Sequence, residues 1–134
     1  MTRLAFVMAL LPVHLVVSNV DTQPLPHTPL VGSSTAFTTT DASRAIHRAG
    51  VRYGVAEHLL RAIAICESGL RPNPPSPSGV YGLFQFSPAT YWSYARRIGE
   101  TRTYFNPYAS ANVAAYAISV GGGANWSASR WCWG

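Results

Sequence analysis

The sequence predicts a small, mainly α domain with one short irregular hairpin and one disulfide, and three observations carry that expectation. Apolar residues recur at steps of three and four in stretches separated by Gly and Pro, which is the period of an amphipathic helix. The aromatic run Val80 to Phe86, with turn points at Gly79 and Gly82, has room for a small hairpin and little more. The chain contains two cysteines, Cys66 and Cys132, so a single pairing is available. Apolar content of 48% against 11% charged residues excludes a charge-rich disordered chain and leaves enough material for a core.

Residues 1–18 read as an export signal. Arg3 precedes an apolar run from Leu4 to Val17, and Ser18 offers a small residue for cleavage. The run is short for a membrane span and holds Pro12 and His14, so a secreted or cell-envelope protein is expected, touching the membrane only through this segment if it stays uncleaved. Residues 19–40, with Pro24, Pro26 and Pro29 among Thr and Ser, show no period and read as a linker. Residues 41–134 then form one domain, expected to be monomeric. In an exported chain an even cysteine count favours a disulfide. Closing a loop of this length contributes roughly 4 kcal/mol on the chain-entropy estimate.

All ten basic residues are arginine, and with five acids they give a formal charge of +5. A basic domain suits polyanions such as nucleic acid or an anionic cell wall. No arginine run and no aromatic-basic interleaving is present, so nucleic acid is not the expected partner. Two cysteines and scattered histidines make no zinc site; no metal and no cofactor is expected. His47 and His58 lie beside arginines on expected helices and read as solvated surface.

The first helix is expected to start with Thr40 or Asp41 as its cap and to run toward Tyr53 with Ile46 and Ala49 inward. A turn at Gly54-Val55 leads to a second helix from Ala56 to Glu67, where Glu57 in the first turn favours the dipole and Gly69 stops the helix. Arg71 to Gly79 holds four prolines and must wrap the end of that helix as a loop. Ser87-Pro88 and Asn106-Pro107 are each a cap followed by proline, starting a third helix to about Ile98 and a fourth to Val120. The tail after Gly121 carries Trp126, Trp131, Trp133 and Cys132 and is expected to form a lid or wall.

Glu67 occupies the one costly acidic position. Steps of three, four and seven residues place it on the stripe of Leu60, Ile63 and Ala64, toward the core side. A carboxylate there requires partners or a raised pKa, the environment of a general acid, unless its head reaches water at the rim.

From these residues a resemblance follows. Glu67-Ser68-Gly69 at a helix end, a Pro- and Ser-rich loop, Gly82-Leu83-Phe84-Gln85-Phe86, then Ser87-Pro88 and Tyr91-Trp92, with Tyr53-Gly54-Val55 ahead of the second helix, resemble the lysozyme-like lytic transglycosylase family. Cys66 directly before Glu67 and Cys132 in a Trp-rich C-terminus resemble more narrowly its compact exported actinobacterial branch, which includes resuscitation-promoting factors. The likeness covers residues 41–134 and implies an α+β lysozyme-like fold that is mainly α. It implies an enzyme that cleaves the β-1,4 bond between N-acetylmuramic acid and N-acetylglucosamine in peptidoglycan, with Glu67 as catalytic acid. Ser68 and Gln85 match positions that hold sugar hydroxyl and acetamido groups, and Gln85 has donors and an acceptor for this. Tyr81, Phe84, Trp92 and Trp131 are candidates to stack on sugar rings. Ala114-Ala115-Tyr116 stands on the fourth helix where larger transglycosylases have a separate Ala-Tyr-Asn motif, so Tyr116 is carried as a candidate at the edge of the site.

Ordinary glycosidases need a second carboxylate within roughly 5 to 9.5 Å. Glu57 stands ten residues before Glu67 on the same helix, hence about 15 Å away. No motif brings Asp21, Asp41 or Glu100 to Glu67. A one-carboxylate transglycosylase is therefore expected, with Glu100 the residue that folding could recruit for hydrolysis and a non-catalytic wall-binding or signalling module as the contrasting reading.

Overall fold

The computed structural model describes residues 36–134. The expected export signal, residues 1–18, and residues 19–35 of the expected linker lie outside the described residues. Helix α1, Thr39–Tyr53, begins earlier than Thr40 or Asp41 would suggest, because Thr38 is the cap. The Thr38 hydroxyl accepts from the Asp41 backbone N–H, and the Asp41 carboxylate accepts from the Thr38 N–H, a reciprocal capping box in which Asp41 is the third helical residue. Gly54, at φ 65°, closes α1 in the left-handed region.

Helix α2, Glu57–Ser68, buries Leu60, Ile63, Ala64 and Ser68 and ends at Gly69, φ 62°. It passes close to α1 at Gly50, where a Cβ would stand 2.8 Å from the Val55 carbonyl oxygen. Helix α3, Pro88–Ala95, is capped by Ser87 and tightens into a 3-10 turn over Arg96–Ile98; helix α4, Pro107–Ser119, is capped by Asn106. Both caps accept backbone N–H bonds through their side chains, as the Ser-Pro and Asn-Pro pairs predict. A second 3-10 segment, Gly122–Ser129, kinks at Trp126 and leads into the single turn α5, Arg130–Trp133.

The core lies between α1, α2 and α4. Ala109, Ala111, Val113, Ala114, Ala115 and Ala117 are all fully buried, so α4 is enclosed on most of its circumference by small side chains that allow close helix approach. Ile46, Leu60 and Ile63 supply the bulk from α1 and α2, each stabilising by about 1.5–3 kcal/mol through burial.

Among the described residues the β content reduces to one antiparallel bridge, Tyr81 to Phe86, with backbone bonds of 2.9 and 3.0 Å closing the turn between them. Aromatic rings hold this hairpin in place. Tyr81 stacks on Tyr104, Phe86 meets Tyr91 and Trp126 edge-on, and Phe84 meets Trp126 edge-on. Gly82, φ 77°, lies against the Tyr104 carbonyl so closely that a Cβ would stand 2.1 Å from its oxygen. No side chain fits there.

Cys66 and Cys132 form a disulfide across a sequence separation of 66 residues. Replacing both by Ser is expected to lower stability by about 2–4 kcal/mol and the melting temperature by about 10 °C or more, read by calorimetry; an unchanged melting temperature would contradict the clamp.

Candidate active site

Glu67 is the penultimate residue of α2 and is half-buried at the edge of its apolar stripe. The helix stops immediately beyond it. Gly69 and Leu70 both take left-handed backbone angles, and the Arg71 N–H and Nε both donate to the Ser68 carbonyl. The carboxylate is therefore carried on a fixed helix end. Its partner comes from the other end of the domain, where the Ser129 hydroxyl donates to Glu67 Oε1 over 2.5 Å.

Ser129 is itself enclosed. Trp133 Nε1 donates to Ser129 Oγ over 3.0 Å and to the Trp126 carbonyl over 3.1 Å, and Ser129 Oγ lies 3.1 Å from that same carbonyl. Trp126 is buried, with its indole N–H on the Phe84 carbonyl at 2.9 Å. The chain of contacts thus runs from the hairpin through Trp126, Ser129 and Trp133 to Glu67. Nothing local in the sequence marks Ser129. The available signal is the disulfide: Cys66 precedes Glu67, so a residue one helical turn before Cys132 is brought to the same place.

The other sequence candidates divide. Ser68 is buried and donates to the Ala64 carbonyl at 2.9 Å, so its hydroxyl is spent within α2 and faces the core instead of a sugar. Phe84 is fully buried. Its ring packs on Trp126 and its carbonyl accepts from the Trp126 indole N–H, so the side chains of both Ser68 and Phe84 are buried toward the core. Tyr81 is half-buried between Tyr104 and Phe105, Trp92 meets Tyr91 edge-on, and Tyr116 sits against Tyr53 and Tyr94. Trp131 is 87% exposed and is the tail ring open to stacking. Gln85 is half-buried and takes φ 50°, an uncommon conformation for a residue with a side chain. Its Nε2 donates to the Gly82 carbonyl at 2.9 Å, and it lines a cleft of about 150 Å³ with Val80, Ser87, Thr90, Asn125 and Trp126. A larger groove of about 720 Å³ runs between Phe37, Arg71, Asn73 and Phe105 and contains no carboxylate.

The remaining described acids are all committed elsewhere. Glu100 accepts from Arg102 N and Nε on one oxygen and from its terminal nitrogen on the other, and these bonds hold its carboxyl below the usual range. Glu57 binds His47 and Arg61, which lower its pKa in that order; Asp41 is held down by the Thr38 backbone N–H and then the Thr38 hydroxyl. Among the described residues Glu67 is the carboxylate without a cationic partner. No group of three or more His, Cys, Asp or Glu side chains among them could hold a metal ion.

Residues 44–120, more than half the chain, match the family model of the transglycosylase SLT domain. The chain belongs to that family. SLT-domain proteins are peptidoglycan lytic transglycosylases, lysozyme-like glycosidases, and peptidoglycan is the substrate of this SLT domain. No curated protein and no solved structure matches the chain. The SLT match spans α1 to α4 and ends at Val120, so Ser129 and the disulfide-linked tail lie beyond it.

Two measurements follow from this geometry. Gln85→Gly suits φ 50° and removes the whole side chain with its amide, so the fold is expected to keep its melting temperature within about 3 °C while cleavage of peptidoglycan falls. Retained activity would assign the strained turn, and not the side chain, to the site. The Glu100 carboxyl is depressed on folding, so its contribution to stability is present above its ordinary value of 4.5 and is lost as pH falls through the folded value. Glu100→Gln is expected to flatten the acid limb of a melting-temperature profile below about pH 4.5; an unchanged limb would show that the Arg102 contact is not formed in solution.

Proposed function

We propose that the protein is an exported lytic transglycosylase that cleaves the bond between N-acetylmuramic acid and N-acetylglucosamine with Glu67 as its single acid and base. The observation that supports this is the isolation of Glu67: a half-buried carboxyl on a fixed helix end, met by a hydroxyl, while each other described carboxylate is bound to a cation or a cap. In this reading protonated Glu67 gives its proton to the glycosidic oxygen as the bond from that oxygen to C1 breaks. The C6 hydroxyl of the muramic acid then attacks C1, and its proton passes to the Glu67 carboxylate. The products are a free 4-hydroxyl and a 1,6-anhydro end, and Glu67 returns to its starting state.

Gln85, at the mouth of the small cleft, is the residue proposed to orient an acetamido group, and exposed Trp131 to carry a ring. Export through residues 1–18, a monomeric state, and membership in the compact branch with resuscitation-promoting factors complete the reading. A paired cysteine beside the catalytic carboxyl suits an oxidising compartment.

The test is digestion of purified peptidoglycan by wild type and Glu67→Gln, with products weighed by mass spectrometry. Wild type is expected to release 1,6-anhydro muropeptides and Glu67→Gln to lose about 10²–10⁴-fold in rate with its fold intact. Reducing ends would make the enzyme a hydrolase, and no soluble products from folded wild type would leave a wall-binding module.

A further inference from the structure

Glu67 has two oxygens and they are not equivalent. Oε1 accepts from Ser129, whereas no described residue donates a hydrogen bond to Oε2. A hydroxyl carries one proton, and that of Ser129 faces two acceptors, Glu67 Oε1 at 2.5 Å and the Trp126 carbonyl at 3.1 Å. Trp133 Nε1, at 3.0 Å, donates to the same hydroxyl and polarises it toward its acceptors. Every member of this set is held from behind: Trp126 by the Phe84 carbonyl, Trp133 by the core it packs on, and the turn carrying Ser129 by Cys132.

We infer that Ser129 is a positioning residue for Glu67, selecting Oε2 as the oxygen that gives and takes the proton. This rests on the reading of Glu67 as general acid. With the hydroxyl donating to Oε1, that oxygen acts as the carbonyl of the acid, and the transferable proton sits on Oε2. As the proton leaves, negative charge spreads onto Oε1 and the Ser129 bond becomes charge-assisted, stronger than in the starting state. Such a bond lowers the barrier because it strengthens along the reaction. The weaker alternative, at the Trp126 carbonyl, lets the hydroxyl turn away without displacing any heavy atom when Oε1 carries the proton.

The experiment compares Ser129→Ala, Ser129→Thr and Glu67→Gln in the disulfide-intact protein, acting on soluble glycan strands. Ser129→Ala is expected to lose about 10- to 100-fold in kcat, the effect of a hydrogen bond to a charged group, with KM within about twofold. Ser129→Thr, which keeps the hydroxyl, restores kcat. Wild-type kcat in Ser129→Ala, with Glu67→Gln inactive, would overturn the role of Ser129 alone. A loss of rate in Ser129→Ala that follows a lowered melting temperature, with KM changed as much as kcat, would reduce Ser129 to a structural residue. Full activity in Glu67→Gln would remove the reading of Glu67 on which the inference stands.

Discussion

The bond between Cys66 and Cys132 is the constraint on which this domain depends. It joins the end of α2 to the last turn of the tail, two segments far apart in sequence. Without it the tail from Gly122 would rest on non-covalent contacts: Trp126 on the Phe84 carbonyl, Asn125 on Tyr94, and Ser129, held by the Trp133 indole, on Glu67. A domain this small has few ways to make a precise site from remote segments. Here the covalent link and the acid are on consecutive residues, so the strongest tether acts where positional error would matter most.

The helical core answers a different requirement. The buried faces of α4 carry alanines with Val113, Ser110 and Pro107, small side chains that let α1 and α2 approach closely, and the glycine at position 50 does the same between α1 and α2. Further bulk comes from aromatics of the hairpin, α3 and the tail. Tyr91 shows how tightly they are set, since its ring touches Phe86, Trp92 and Tyr104 while its hydroxyl donates to the Arg102 carbonyl, and burial pushes that phenol upward. The hairpin with Gln85 thus hangs from an aromatic network rather than from a sheet.

Much of this was legible in the sequence for identifiable reasons. Helix ends were readable where a cap was followed by proline, at Ser87 and Asn106, and where glycine stopped a helix, at Gly54 and Gly69. The cap of α1 was less readable because its partner in the capping box is Asp41 rather than a longer Glu or Gln. Glu67 and the cysteine pair stood out because a charge on an apolar stripe and an even cysteine count each have few explanations. Ser68 and Phe84 carry motif identity, but motif position does not fix side-chain direction: one step along α2 turns Ser68 into the core, and the turn at Gly82 turns Phe84 inward. Ser129 acquires meaning only through a contact 62 residues away, which no local pattern encodes.

The contact between Ser129 and Glu67 closes a ring that the disulfide has already closed. Cys66 adjoins Glu67, and Cys132 lies one helical turn beyond Ser129, so hydroxyl and carboxylate meet within a small macrocycle. On an open surface such a contact competes with water at molar concentration and is often lost. Inside the ring the translational freedom has been removed beforehand, and the hydroxyl faces the carboxylate at an effective concentration far above what free groups reach. A half-exposed acid can in this way keep one ordered partner on one oxygen while the other takes no hydrogen bond from the described residues.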